Sequence, residues 1–278
     1  MKLKVLLDNN TLIDRYFLGE PGVSYLIEDE NVRILFDMGY SDAFIKNAHK
    51  LNENLLDLDY LVVSHGHIDH TWGLVPLVQM YTEAKIEGHN HKTPSLIAHP
   101  EAFLYKEFKG SEEIGSILEI NKLGKHFDLK LTKEPLWLTN NIVFLGEIER
   151  TNDFENTEPL GTYEKDGVKS DDYLIDDTAL VYKSPKGLVI VTGCSHAGIC
   201  NITKYAKMIC KDDRIIDIIG GFHLLNPSEK QLESTKKYFK SSKINTVHAC
   251  HCTDLKSKIE LSKVVDVKEV GSGLILEY

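Results

Sequence analysis

The chain has 278 residues, a hydrophobic fraction of 42%, a charged fraction of 27% and a formal net charge of -10 at pH 7. This length suits one large α/β domain or two small ones. The negative charge disfavours nucleic acid as the main partner, because phosphate binding requires surplus Lys and Arg. The first apolar run is too short for a signal peptide, and no run reaches the roughly 18 apolar residues that span a bilayer. We therefore expect a cytoplasmic protein that does not bind membranes.

Short runs rich in Val, Ile and Leu, bounded by Gly, Asp, Asn or Pro, predict strands in chain order. They cover residues 2–7, 23–28, 32–36, 60–63, 95–99, 142–145, 179–183, 188–192, 215–219, 246–249 and 274–277. Apolar residues at helical spacing predict helices over 42–51, 73–81, 198–210, 229–240 and 255–261. This mixture predicts an α/β protein whose sheets are covered by helices on their outer faces.

The middle of the chain, about residues 101–175, is polar and less regular than the rest. It is either an excursion that shapes a pocket or a plain surface insertion. We expect a single domain over residues 1–278. The five cysteines are odd in number and lie in the C-terminal half, so they predict free thiols rather than a disulfide framework.

The most informative stretch is Leu61–Gly73, LVVSHGHIDHTWG, which carries three histidines and an aspartate within six residues. Neutral imidazole binds zinc, iron or nickel, and carboxylate adds charge and an oxygen ligand. His65 and His67 can point the same way in an extended loop, whereas Asp69 and His70 start the next helix. A chance pattern or a metal-free polar turn is the alternative, but burying three imidazoles together without a metal is costly. Four ligands in one turn predict two metal sites.

Two metals need further ligands, and two places offer them directly after an apolar strand. LVIVTGCSHAGICN contains Cys194 and His196. TVHACHCTD contains His251, with His248 and the thiols Cys250 and Cys252 around it. We interpret these three neighbours of His251 as packing residues. Cys194 is either a ligand or a small buried thiol.

The motifs together resemble the metallo-β-lactamase superfamily. SHGHIDH is similar to its HxHxDH signature, and RILFDMG is similar to the strand that precedes it. TGCSHAGICN, GGFHL and CHCT resemble the branch that contains the archaeal dihydropterin–aminobenzene-phosphate synthase of methanopterin biosynthesis. The resemblance implies an αββα sandwich with the site along one edge.

The resemblance also implies ligands for two divalent ions, zinc before iron, manganese or nickel. His65, His67 and His196 would hold the first ion, and Asp69, His70 and His251 the second. The superfamily usually has a bridging Asp in a Gly-Asp pair, but here Gly193 precedes Cys194. Either Cys194 or His196 takes that place, or a water bridges alone.

Four other residues are candidates for substrate contacts. His223 follows Gly220 and Gly221, so it could bind substrate or act as acid or base; a plain loop histidine is the alternative. His99 ends another strand at a similar edge. Glu147 and Arg150 could bind an anionic substrate, or they could form a surface ion pair.

Two ions that share a water would lower its pKa and neutralise an oxyanion. The leading hypothesis is therefore a metal-dependent hydrolase of an ester, lactone or phosphoester, in which Asp69 orients the water and the substrate is small and anionic or polar. The alternatives are a transferase like the pterin enzyme, with Trp72, Phe222 and Tyr163 as aromatic walls, and a non-catalytic metal-binding protein. A homodimer is compatible with the sequence.

Overall fold

The computed structural model describes Met1–Tyr278 and contains two seven-stranded sheets and one three-stranded sheet. The strands are β1 (Lys2–Leu7), β2 (Ser24–Asp29), β3 (Val32–Phe36), β4 (Tyr60–Val62), β5 (Ser95–Ala98), β6 (Tyr105–Glu107), β7 (Asp128–Leu131), β8 (Leu136–Trp137), β9 (Ile142–Phe144), β10 (Thr162–Lys165), β11 (Val168–Asp171), β12 (Ala179–Ser184), β13 (Gly187–Thr192), β14 (Ile215–Gly221), β15 (Thr246–Cys250), β16 (Asp266–Val267) and β17 (Ile275–Glu277). The helices are α1 (Ala43–Lys50), α2 (Ile68–Thr71), α3 (Leu74–Glu87), α4 (Ile120–Leu123), α5 (Ile199–Cys210), α6 (Glu229–Ser241) and α7 (Leu255–Leu261).

The two large sheets have similar designs. The first runs β17-β1-β2-β3-β4-β5-β7, and the second runs β16-β15-β14-β13-β12-β9-β8. In the first sheet β3, β4, β5 and β7 are parallel, and in the second β13 to β16 are parallel. Helical crossovers connect such parallel strands, so each sheet carries its helices on one face.

Three apolar cores give the αββα layering that the family resemblance implies. One core lies between the sheets, where Phe36 of the first sheet and Phe144 of the second are fully buried. The other two lie beneath the helices, with Phe44 of α1 in one and Phe239 of α6 in the other. Burying a side chain of this size stabilises the fold by about 1.5–3 kcal/mol.

Every predicted strand is present, with ends that shift by at most two residues, and all five predicted helices form. Helix α3 extends to Glu87, beyond its predicted end, and stops at Gly88 in a left-handed conformation. The sequence did not predict β6, β7, β8, β10, β11 and β16, or the four-residue helix α4. Asp69 and His70 do start a helix, as predicted, but α2 is a separate short helix before α3.

The middle segment is not one excursion. Its strands β7, β8 and β9 complete the edges of both large sheets, whereas β6, β10 and β11 form the separate three-stranded sheet. The latter sheet lies outside the sandwich and reaches the histidine turn through Lys106 of β6, as described below. No helix of the structure is long and apolar enough to cross a membrane.

Candidate metal centre

The histidine turn begins directly after β4, a central strand of the first sheet. His67 is the N-cap residue of α2 and keeps an extended backbone, while Asp69 and His70 lie within that helix. Gly66 lets the loop pass close to the chain at Ala102, because a Cβ atom here would meet the Ala102 carbonyl oxygen at 2.0 Å. The loop thus directs the side chains of His65, His67 and His70 toward the edge where the two sheets meet.

The second sheet contributes the remaining candidates from parallel strands. Cys194 and His196 follow β13, His223 follows β14 and His251 follows β15. The carboxyl ends of parallel strands lie at one edge, which is where α/β folds build sites. His223 and His251 both have positive φ, of 50° and 51°, so each side chain leaves its strand at a sharp turn.

The structure brings these side chains into two groups whose ligand atoms lie within 4.8 Å of one another. One group is His65, Cys194 and His196, and the other is His70, Cys194 and His251. Cys194 Sγ lies 3.2 Å from His70 Nε2 and 3.1 Å from His251 Nε2. This arrangement supplies nitrogen and sulfur donors, the set that zinc takes.

The predicted first trio is also close together. The ring of His67 is centred 4.7 Å from that of His65 and 4.8 Å from that of His196. His67 Nδ1 lies 3.0 Å from His65 Nε2. His67 Nε2 and His196 Nε2 are buried without any hydrogen-bond partner. Buried polar atoms of this kind are costly unless something binds them, so the donors fit a metal ion.

Asp69 lies on the side of the second group. Its Oδ2 atom is 3.3 Å from His251 Nε2 and 3.7 Å from His70 Nε2, and its side chain is 24% exposed. The predicted trio of Asp69, His70 and His251 is therefore together in space, and Asp69 is its solvent-accessible member.

Oxygen atoms from distant parts of the chain orient the ligand histidines. His70 Nδ1 lies 2.7 Å from the buried carboxylate of Asp37, and His251 Nδ1 lies 2.8 Å from Asn9 Oδ1. The hydroxyl of Ser64 lies 2.9 Å from His65 Nδ1. Such partners fix the tautomer and aim the opposite nitrogen at a metal. From the sequence, Asp37 is visible only as the Asp of the RILFDMG motif, and Asn9 carries no assigned role.

Burial and charge divide the histidines into two classes. Burial lowers the pKa of His67 to about 3, and burial with neighbouring imidazoles lowers the pKa values of His65 and His196. Neutral imidazole is the metal-binding form. Burial opposes charge on His70 as well, but Asp69 and Asp37 raise its pKa to about 9. The carboxylates of Asp69 and Asp37 therefore favour positive charge at His70, whether it comes from a proton or from a bound cation.

A cavity of about 230 Å³ opens beside the first group. His196 and His223 form one side of it, and residues from Phe154 to Leu160 of the middle segment form another. The two imidazole rings are centred 4.3 Å apart, and His223 Nδ1 is buried without a partner. A polar cavity next to a donor group is suited to a small polar ligand.

Three of the four candidates for substrate contacts are neither in a donor group nor in the lining of that cavity. His99 is fully buried, and its Nε2 atom lies 3.1 Å from Glu147 Oε2, which also pairs with Lys133. The guanidinium of Arg150 donates hydrogen bonds to the backbone carbonyls of Tyr173 and Leu174. These side chains are thus already hydrogen-bonded within the protein and are not free for a substrate.

Of the three aromatic residues expected to form walls of a binding site, only one lines a cavity. Phe222 is 1% exposed and packs against Phe239 in the core under α6, so its assignment as a wall is wrong. Trp72 stacks on Tyr40 and donates a hydrogen bond to the Gly115 carbonyl. Tyr163 does line a cavity, of about 160 Å³, together with Tyr173.

A buried ion network supports the histidine turn from the three-stranded sheet. Lys106 Nζ lies 2.8 Å from Asp172 Oδ2 and 3.0 Å from Asp176 Oδ1. The other oxygen of Asp176 accepts a hydrogen bond from the backbone N–H of Gly66 at 2.8 Å. Nothing local in the sequence distinguishes these three charged residues from surface charges, so the sequence alone does not reveal them.

Comparison with known proteins agrees with this geometry. A model of the metallo-beta-lactamase superfamily matches residues 18–141. An uncharacterized protein of Methanocaldococcus jannaschii is 34% identical over 263 residues, covering 94% of this chain and 94% of the relative. The 7,8-dihydropterin-6-methyl-4-(beta-D-ribofuranosyl)-aminobenzene-5'-phosphate synthase of the same archaeon is 31% identical and covers 100% of this chain and 97% of the enzyme. The crystal structure of Tm1679, described as a metal-dependent hydrolase of the beta-lactamase superfamily, superposes with a TM-score of 0.84 at 30% identity, covering 100% of this chain and 99% of that one.

Proposed function

Because the chain belongs to the metallo-β-lactamase superfamily, we propose that it is a metal-dependent hydrolase of ester, lactone or phosphoester bonds in a small anionic or polar substrate. The observation that carries this proposal is the pair of donor groups beside a polar cavity, with His67 Nε2 and His196 Nε2 buried and unpartnered. The similarity to Tm1679 at 30% identity supports the same reaction class.

The proposed centre holds two divalent ions, with zinc as the first choice and iron, manganese or nickel as alternatives. His65, His67 and His196 hold the first ion, and Asp69, His70 and His251 the second. When bound, the ions supply Lewis-acid polarisation and lower the pKa of water toward neutrality.

Asp69 orients the attacking water. Its pKa is lowered, because the nearby imidazoles of His70 and His251 outweigh the effect of burial, so the carboxylate stays charged and accepts hydrogen bonds. Its partial exposure lets it face a ligand rather than the core.

His223 lines the part of the cavity in which we place the leaving group of the substrate. Its ring stands against His196, while its Nδ1 atom has no partner in the protein. An imidazole in this position can donate a proton to a leaving oxygen, an effect of about 10²–10⁴-fold on rate. His223 belongs to neither donor group, so its role is separable from metal binding.

The test uses zinc-reconstituted protein and a panel of a phosphodiester, a carboxylic ester and a lactone. We expect turnover that disappears after chelation and returns with zinc. His223→Gln should lower kcat about 10²–10⁴-fold with unchanged metal content. The matched control is His89→Gln, which changes a histidine with a 60% exposed side chain. Fully loaded protein that hydrolyses none of the panel would contradict the hydrolase.

A second candidate function is a synthase that joins a dihydropterin to a ribofuranosylaminobenzene phosphate. The 31% identity to that synthase over the whole chain favours it. Tyr163 and Tyr173 also line a cavity next to Asp176, which contacts the histidine turn, and aromatic walls suit a flat heterocycle. Formation of the joined product, detected by mass spectrometry with metal-loaded protein and absent in Tyr163→Ala, would select this function over hydrolysis.

A further inference from the structure

Cys194 differs from the other candidate ligands because it belongs to both donor groups. Its Sγ atom lies between His70 Nε2, at 3.2 Å, and His251 Nε2, at 3.1 Å. The same atom lies within 4.8 Å of the ligand nitrogens of His65 and His196. A single sulfur thus faces four imidazoles on two sides.

The surroundings of Cys194 are not those of a packing thiol. Cys200 and Cys210 lie in the apolar core under α5 and α6, and Cys250 lies in the core between the sheets. Cys194 is 4% exposed but belongs to none of the three apolar cores. A buried thiol normally behaves as a small hydrophobe, and this one is surrounded by polar rings instead.

The imidazoles around the thiol are oriented for an ion at this position. Asp37 and Asn9 occupy the Nδ1 atoms of His70 and His251, so both Nε2 atoms face the sulfur. On the other side, His196 is 5% exposed and its Nε2 atom has no partner. A buried nitrogen without a partner calls for a bound ion or water, and histidines whose other nitrogen is held by an oxygen atom are typical of a metal centre.

We infer that the Cys194 sulfur is a shared ligand that bridges the two metal ions. This inference rests on the metal centre of the proposed function and specifies its ligand chemistry. When a bond from the sulfur to an ion forms, the thiol gives its proton to solvent. A thiolate is a soft ligand, so the centre selects zinc or iron over manganese, which prefers oxygen donors.

The experiment replaces the metal with cobalt(II) and records the near-ultraviolet absorption, where sulfur-to-cobalt charge transfer appears. We expect the band in the wild-type protein and two cobalt ions per chain. Cys194→Ala should lose the band and weaken cobalt binding by more than about 100-fold, beyond the usual effect of losing an outer-shell partner. Cys194→Asp should also lose the band but keep two ions, because a carboxylate can bridge them.

Two control variants show which sulfur is responsible. Cys210→Ala removes a buried thiol at the end of α5, outside the site, and should keep the band. Cys252→Ala removes a thiol that contacts the Cys194 carbonyl but belongs to neither donor group, and it should also keep the band.

Each outcome decides between the proposals. Cobalt binding without a charge-transfer band in the wild type, or a band that persists in Cys194→Ala and Cys194→Asp, overturns the inference and leaves the hydrolase standing. If the band disappears in Cys252→Ala and not in Cys194→Ala, the sulfur ligand is Cys252, and this also overturns the inference. A Cys194-dependent band with no turnover contradicts only the hydrolase. A wild-type chain that binds no cobalt, zinc or iron overturns both.

Discussion

Lys106→Met tests how the three-stranded sheet supports the histidine turn. The Lys106 side chain is 3% exposed and lies between the carboxylates of Asp172 and Asp176. Removing one partner of a buried pair leaves uncompensated charge and costs about 3–5 kcal/mol, even where the intact pair adds little net stability. Two carboxylates lose their counter-ion here, so we expect the free energy of unfolding to fall by an amount in that range.

Thermal unfolding of metal-free protein measures the effect. At about 2 °C per kcal/mol for a large domain, Tm should fall by roughly 6–10 °C. The control is Lys165→Met, since Lys165 pairs with Glu101 and its side chain is 50% exposed. That exposed pair should contribute less than about 1 kcal/mol.

A second measurement follows the link to the turn. Asp176 accepts the Gly66 N–H, so losing Lys106 should also loosen the loop between His65 and His67. Chelator competition should show the first ion bound more weakly, by about 10–100-fold. A stability loss no greater than that of Lys165→Met, with unchanged metal affinity, would refute this account of the network.

The remaining predictions concern the two ions. His67→Ala should reduce the metal content to one ion per chain and abolish hydrolysis, by elemental analysis and the substrate panel; full metal content with normal turnover would refute the pairing of His65 with His67. His251→Ala should lower only the second ion, and two retained ions would make His251 a structural residue. Asp37→Ala removes the carboxylate 2.7 Å from His70 Nδ1, so it should weaken the second ion about 10–100-fold in chelator competition; unchanged affinity would show that His70 needs no such partner.

The regular parts of the fold could be predicted because their buried apolar residues recur at helical or strand spacing. Strands β1, β3 and β13 are mostly buried and rich in Leu, Ile and Val, and the sequence locates them closely. The hairpin of β10 and β11 escaped prediction because its residues are mostly exposed or half-buried. Its strands form by pairing with each other and with β6, which is a tertiary effect that local propensity does not encode.

The candidate site likewise contains residues that local sequence reveals and residues that only the tertiary fold brings in. His65, His67, Asp69 and His70 are close in sequence, so one motif reveals them together. Asp37, Asn9 and Lys106 reach the centre only through the topology of the sheets, and no local spacing marks them. The role of Cys194 stayed open because it depends on the turn after β13, where Ser195 has a φ of 61°.

The proposed ligands come from opposite halves of the sandwich. His65, His67 and His70 extend from the first sheet, whereas Cys194, His196 and His251 extend from the second. An ion bound by them would act as a cross-link that closes loops of more than a hundred residues, in the way a disulfide does. Tighter ion binding would then raise the free energy of unfolding of the whole molecule. A ligand that binds only the folded state adds RT ln(1 + [L]/Kd) to that free energy.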